Sequence, residues 1–207
     1  MAATTSAGGR HDSPPPYRQV RADFDDETVV VYQAYPPAVA GPAVEAQRFV
    51  APFSRTRMTW VKPSFLWMMY RCGWATKPGQ ERILAVRITR AGFEEALSQA
   101  CLTHLDPGLH ADRDAWQRRL AVAPVRVQWD PERGPALDPL PWRSLQVGIG
   151  SAAVPAYVDR WVVGITDLTE RVHRLRDLPV GERTELPVER PYPLPRSVAE
   201  TVGATIG

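Results

Sequence analysis

The residues best suited to chemistry lie between Arg55 and Arg71, where Arg55, Arg57, Lys62 and Arg71 alternate with Trp60, Trp67 and Tyr70. Guanidinium forks hold phosphate oxygens in a bidentate way, and aromatic faces stack on bases. Pro63 suits the first turn of a helix over Ser64–Arg71 that Gly73 ends. The N-terminus of that helix offers backbone N–H groups and a partial positive charge to an anion. Phe65, Leu66, Trp67 and Met68 in the same helix read as core. For the cations two readings stand side by side, a phosphate site and a solvated face.

A second group is Gln128, Asp130, Glu132 and Arg133, at a place where a strand runs into a proline turn. Loops carried on a rigid strand commonly hold site residues. The bland alternative is that Asp130-Pro131 starts a turn and leaves Glu132 and Arg133 in solvent. Tyr32-Gln33, at the end of an otherwise apolar strand, is a third feature of the same quality.

Three patterns are set aside. The run Gly148 to Ala153 mimics a dinucleotide-binding turn, but it comes too late in the chain for the parallel strands that must follow, and it reads as a plain strand-to-helix turn. His104, Asp106 and His110 lack metal-site spacing and a Cys partner. Ser151 lacks the flanking pattern of a nucleophile elbow.

Charge supports the first group. Residues 48–90 carry nine basic side chains against Glu81 alone, while the segments before and after are net acidic and the whole chain is only +2. Solvated faces usually interleave both signs, so such an excess points to an external anion or to acids from elsewhere in the fold, with solvent alone as the bland alternative.

The elements that must position these residues follow from periodicity. Thr28–Ala34 is β-branched and aromatic and reads as a buried strand, as does Arg82–Ile88. A short helix is expected from Pro42 to Phe49, and Arg57–Val61 is expected to be extended. Phe93, Leu97 and Cys101 recur at helical spacing, as do Trp116, Leu120 and Ala123. Val125–Trp129 and Leu145–Ile149 read as strands. Tyr157, Trp161, Ile165, Leu168, Val172 and Leu175 predict one helix over 155–176, or two joined near Gly164. Residues 1–17 are expected to be a disordered arm, 18–178 a single globular domain, and 179–207 an extended proline-rich C-terminal tail. Strands and helices alternate without a regular βαβ rhythm, which predicts an α+β fold with a mixed or antiparallel sheet and flanking helices.

The 207 residues, 44% apolar, are enough for one sizeable core. Cys72 and Cys101 imply no disulfide framework. The sequence shows no signal-peptide pattern and no run that approaches a membrane span, so a cytoplasmic address is expected.

Val31–Tyr35, Arg57–Arg71, Gln128–Arg133 and Gln146–Ile149 together resemble the family called domain of unknown function 4291, over about residues 18–178. The family's name states no activity, so this resemblance transfers no catalytic residue. A second similarity is to the ADP-ribosyltransferase superfamily, whose fold begins with a strand bearing a polar NAD-binding residue, continues through a Ser/Thr-rich strand leading into a helix, and places a Glu near a later strand. Tyr32-Gln33, Thr59 with Ser64, and Gln128-x-Asp130 with Glu132 occur here in that order. The first strand lacks the Arg or His of that superfamily, and Asp130 stands where it usually has Glu.

These readings define an expectation with two alternatives. In the first, the protein is a nucleotide-binding enzyme, with NAD as its candidate cofactor, that transfers a group to a nucleic acid or protein. Arg57, Lys62 and Arg71 would hold phosphate, with Tyr32, Gln33, Thr59, Trp60 and Ser64 completing the ligand site. Gln128, Asp130 and Glu132 would do the acid/base or electrostatic work. In the second, the same cations and aromatics form a non-catalytic RNA- or DNA-binding module. In a third, the cations pair internally with the acidic segments.

Overall fold

A computed structural model describes residues 14–205 of the chain. Most of the expected N-terminal arm lies outside the described residues; within them, Tyr17 lies against Arg143, whose backbone N–H donates to the Tyr17 carbonyl at 2.7 Å. The described chain is an α+β fold. Its elements run β1 (Arg21–Ala22), β2 (Thr28–Tyr35), α1 (Pro37–Ala46), β3 (Thr59–Val61), α2 (Phe65–Cys72), β4 (Arg82–Thr89), α3 (Arg90–Ser98), β5 (Ala100–Leu102) and α4 (Arg113–Val122). There follow β6 (Val125–Arg133), β7 (Pro139–Ile149), α5 (Val154–Ala156), a π-turn at Tyr157–Trp161, β8 (Val162–Asp167), α6 (Thr169–Asp177), β9 (Arg190–Pro191) and α7 (Arg196–Val202).

The strands form two larger sheets, ordered β2-β4-β8 and β3-β7-β6-β5, and a small β1-β9 pair. Every pairing is antiparallel except β5 with β6. A single antiparallel bridge, Tyr32 to Lys62, stitches the two larger sheets together. The apolar positions dictate the layers. Val29 and Val31 of β2 face one core cluster with Val86, Val127 and Val147, while Val30 and Tyr32 face a second with Phe65, Met68 and Val172. Strand β2 is therefore buried on both sides, which suits its β-branched run.

The structure corrects several expected elements. Residues 155–176 are not a continuous helix, because strand β8 runs through Gly164 and pairs with β4, Ile165 lying opposite Val86. The β-branched stretch Val162–Thr166 takes the open edge of β4 in preference to the helical period it also satisfies. Cys101 belongs to β5 and not to a helix with Phe93 and Leu97, since α3 stops at Ser98 and the chain then pairs with β6. Helix α1 begins at Pro37 and carries Pro42 inside it, ending three residues before Phe49. Strand β6 does not stop at a proline turn; it passes through Pro131 with a register shift against β7.

The C-terminal segment packs onto the domain. Strand β9 pairs with β1, and the buried Tyr192 stacks edge-on against Phe24 and Phe93. Helix α7, which the sequence reading did not include, buries Val198, Ala199 and Val202.

Candidate functional site

Beyond the Tyr32–Lys62 bridge, β2 and β3 part, and a cavity of about 330 Å³ opens between them. Gln33, Ala34 and Tyr35 line it from β2, and Met58, Thr59, Trp60 and Lys62 from the β3 segment. Met68 and Arg71 of α2, Gln80 and Gln146 complete the wall. Helix α2 is held here by its own caps: the Ser64 side chain accepts from the Trp67 N–H, and Gly73 closes the helix at a positive φ of 61°.

Alternation along the β3-β7-β6-β5 sheet explains the polar floor. Val61, Val147 and Val127 lie side by side and point into the core. Their neighbours in sequence point the other way, so Trp60, Gly148 and Arg126 form one row across the strands and Gln146 with Gln128 the next. Asp130 lies opposite Ser144 one step further on. The Trp60 ring lies flat over Gly148, where a Cβ would come within 2.8 Å of it. Glycine is thus required for this close approach.

Gln33 and Thr59 line the cavity, but the protein uses their hydrogen-bonding capacity. The Gln33 Nε2 donates to Thr59 Oγ1 at 2.7 Å and to the Tyr35 hydroxyl at 2.8 Å, and Gln33 Oε1 accepts from the Tyr157 hydroxyl at 2.6 Å. Burial raises both phenols, Tyr35 to about 12 and Tyr157 well above its ordinary range, so the network stays neutral.

Lys62 differs. It is 3% exposed, its Nζ has no hydrogen-bond partner, and it lies 3.3 Å from the centroid of the Trp67 ring. Burial pushes its ammonium well below the ordinary lysine range; the charge of Asp130 opposes that shift and Arg71 adds to it. Asp130 is a fitting counterpart, since Gln128 Nε2 donates to its Oδ1 at 2.7 Å while its buried Oδ2 has no partner.

Several of the nine cations of residues 48–90 are engaged within the protein. Arg55 pairs with Asp159, Arg82 with Asp167 and Arg87 with Asp25, and Arg90 bonds the Tyr192 hydroxyl. Internal pairing therefore accounts for part of the excess. Arg57, Lys62 and Arg71 form no ion pair among the described residues. Lys62 and Arg71 share the cavity, whereas Arg57 lines an adjoining one of about 330 Å³ with Tyr35, Pro36, Val39, Pro52 and Phe53. Tyr35, Met58 and Thr59 form the wall common to both.

Other expected site residues lie elsewhere. Tyr32 is 1% exposed and packs edge-on against Phe65, so its ring has no face left for a ligand. Ser64 and Glu132 belong to a separate cavity of about 210 Å³ with Arg21, Arg133 and Glu189. There Ser64 Oγ donates to Glu132 Oε1 at 2.7 Å, and the Phe65 N–H donates to Glu189 Oε1 at 2.6 Å. The N-terminus of α2, expected to receive an external anion, holds the protein's own carboxyl group, because the returning tail brings Glu189 to it. Burial pushes Glu132 up, against the Arg133 N–H and the Ser64 hydroxyl. It pushes Glu189 up to about 8, and the charge of Glu132 adds to the effect. Glu189 could not be found from sequence, since nothing near it in the chain marks it. Gln146 could have been, as a polar residue alternating with Leu145 and Val147.

The cleft defines a protein with a polar, partly cationic site between two sheets joined by one bridge. The chain belongs to the family described as domain of unknown function (DUF4291), whose model matches residues 19–192. Among curated proteins none matches it.

Proposed function

We propose that the cleft binds a nucleotide and that the protein is a nucleotide-dependent transferase, with NAD as its candidate cofactor. The observation that carries this reading is that Lys62 and Arg71, two cations that form no ion pair among the described residues, converge on one polar cavity beside an apolar one. Phosphate would lie on Lys62 and Arg71, and Trp60 would cover the ribose side. A planar base would enter the adjoining cavity, where Phe53, Pro36 and Tyr35 offer apolar faces and Arg57 stands at its rim. The donor set suits such a ligand, since cations, amides and aromatic rings are its ordinary partners. Asp130, with its free Oδ2 and its Gln128 contact, would stabilise positive charge developing at a transferred ribosyl carbon. Glu132, held by Ser64 on another face of α2, is left out of that role.

Titration with NAD, ATP and a short RNA at two salt concentrations tests the reading. Binding of NAD or ATP should weaken as salt rises, and Arg71→Ala should cost about 1.5–3 kcal/mol of it if the phosphate bond is charge-assisted. Asp130→Asn should leave binding nearly intact and abolish transfer. Failure of NAD and ATP to bind would sink the proposal. A second reading, a nucleic-acid-binding module, draws on the half-exposed Tyr70, whose ring carries the Arg133 guanidinium at 3.5 Å beside the exposed Arg71. It predicts RNA binding that Asp130→Asn does not alter and no turnover of any nucleotide.

A further inference from the structure

Phosphate binding alone does not explain why the cleft is lined by a lysine stripped of partners. Buried lysines ordinarily reach a carboxylate or extend to solvent. Lys62 does neither: it is 3% exposed, its Nζ has no hydrogen-bond partner and forms no ion pair, and it lines an open cavity. Loss of hydration without a close counter-charge favours the neutral amine. The Arg71 guanidinium at the same cavity acts in that direction, while Asp130 and the Trp67 face act against it. Burial is the largest of these influences. A desolvated lysine beside a second cation is a known way to make an amine nucleophilic.

We propose that Lys62 is an amine nucleophile that forms an imine with a phosphate-bearing aldehyde, the open-chain form of an aldose phosphate, while Arg71 holds the phosphate. The lone pair of Nζ attacks the carbonyl carbon, and the C–O π electrons move to oxygen, which takes a proton. The carbinolamine then loses water as the C=N bond forms, and the nitrogen gives up its proton. Solvent at the open cavity exchanges these protons, and the charge of Asp130 favours the protonated intermediates. No oxidant or cofactor enters the balance. The phosphate contact rests on the nucleotide-site reading above; the amine chemistry does not.

The chain has two lysines, Lys62 and Lys77, so labelling can be read without ambiguity. Lys77 is exposed and its Nζ bonds the Arg71 carbonyl at 2.7 Å, which makes it an internal reference. The full chain is incubated with ribose 5-phosphate and cyanoborohydride, digested, and the reduced adduct mapped by mass spectrometry. Lys62 should be labelled on the order of tenfold faster than Lys77, because burial favours the neutral amine that attacks the carbonyl. Ribose without phosphate, or the Arg71→Met variant, should lose most of that preference, and Lys62→Met should lose the adduct. Equal labelling of the two lysines, or labelling of Lys77 alone, overturns the proposal on the wild-type protein, whatever the variants do. Labelling of Lys62 that ignores the phosphate overturns the assigned substrate class. NAD or ATP titration is scored separately, so the nucleotide-site reading can stand when the imine fails.

Discussion

Glu189 reaches the first turn of α2 from the far end of the chain, and its carboxyl accepts the Phe65 N–H in a place that disfavours its charge. Burial raises its pKa to about 8, against an ordinary 4.5. Between those values the folded protein holds a proton that the unfolded chain has released. Stability from this group is therefore complete below about pH 4.5 and is lost as pH rises through 8. Glu132 acts in the same sense, and Lys62, whose pKa is lowered, acts in the opposite one. The difference between wild type and Glu189→Gln isolates the carboxyl, since the amide oxygen still accepts the N–H. Melting temperatures from pH 5 to 9 should match at the acid end, and the variant should become the more stable at pH 8.5. A variant that is equally or less stable there would show that Glu189 is not held protonated. Side chains of this kind explain what the sequence could not reveal about the site. Arg57, Lys62 and Arg71 stood out by type and spacing. Which of them face one cavity, and which carboxyl group fills the helix end, depends on strands and a tail that no local pattern brings together.

Elements were legible where pattern and pairing agree. The run Thr28–Ala34 reads as a strand and is one, because it is β-branched and covered on both faces. Tyr157–Leu175 satisfies a helical period, yet β8 forms within it because β4 offers a free edge, a fact that no window of sequence contains. Packing between elements also decides what glycine does in two helices. Gly41 in α1 has nothing within 4 Å of the place a Cβ would occupy, whereas at Gly92 in α3 that atom would stand 2.4 Å from the Trp161 ring. Gly41→Ala should stabilise by about 0.4–1 kcal/mol through helix propensity. Gly92→Ala should destabilise by about 1–3 kcal/mol, because the indole must move within a packed core. Urea denaturation of both variants gives the two signs, and equal effects would mean that α3 does not seat against the Tyr157–Trp161 turn as described.

Taken as one body, the molecule depends on its last thirty residues more than a proline-rich composition suggests. Five prolines between Pro179 and Pro195 keep that segment extended, so it can run across the domain without forming a layer of its own. Tyr192 then inserts between Phe24 and Phe93, its hydroxyl donating to Glu94 at 2.6 Å, and α7 closes over α3 and β5 with Val198, Ala199 and Val202 buried. The Val202 carbonyl accepts the Trp129 indole N–H at 2.8 Å, which ties the end of the chain to the strand carrying Gln128 and Asp130. A chain ending at Pro195 would expose the apolar surface beneath α7 and leave that indole N–H without its partner. Burial of two valines alone contributes about 3 kcal/mol or more, a large part of the roughly 5–15 kcal/mol that holds a typical domain. The truncated protein should therefore melt well below the full chain, and one ending at Leu178, which also lacks the Glu189 cap and β9, should fail to fold cooperatively. Calorimetry of the two truncations against the full chain decides this: an unchanged midpoint for the chain ending at Pro195 would mean that α7 rests on the domain without supporting it.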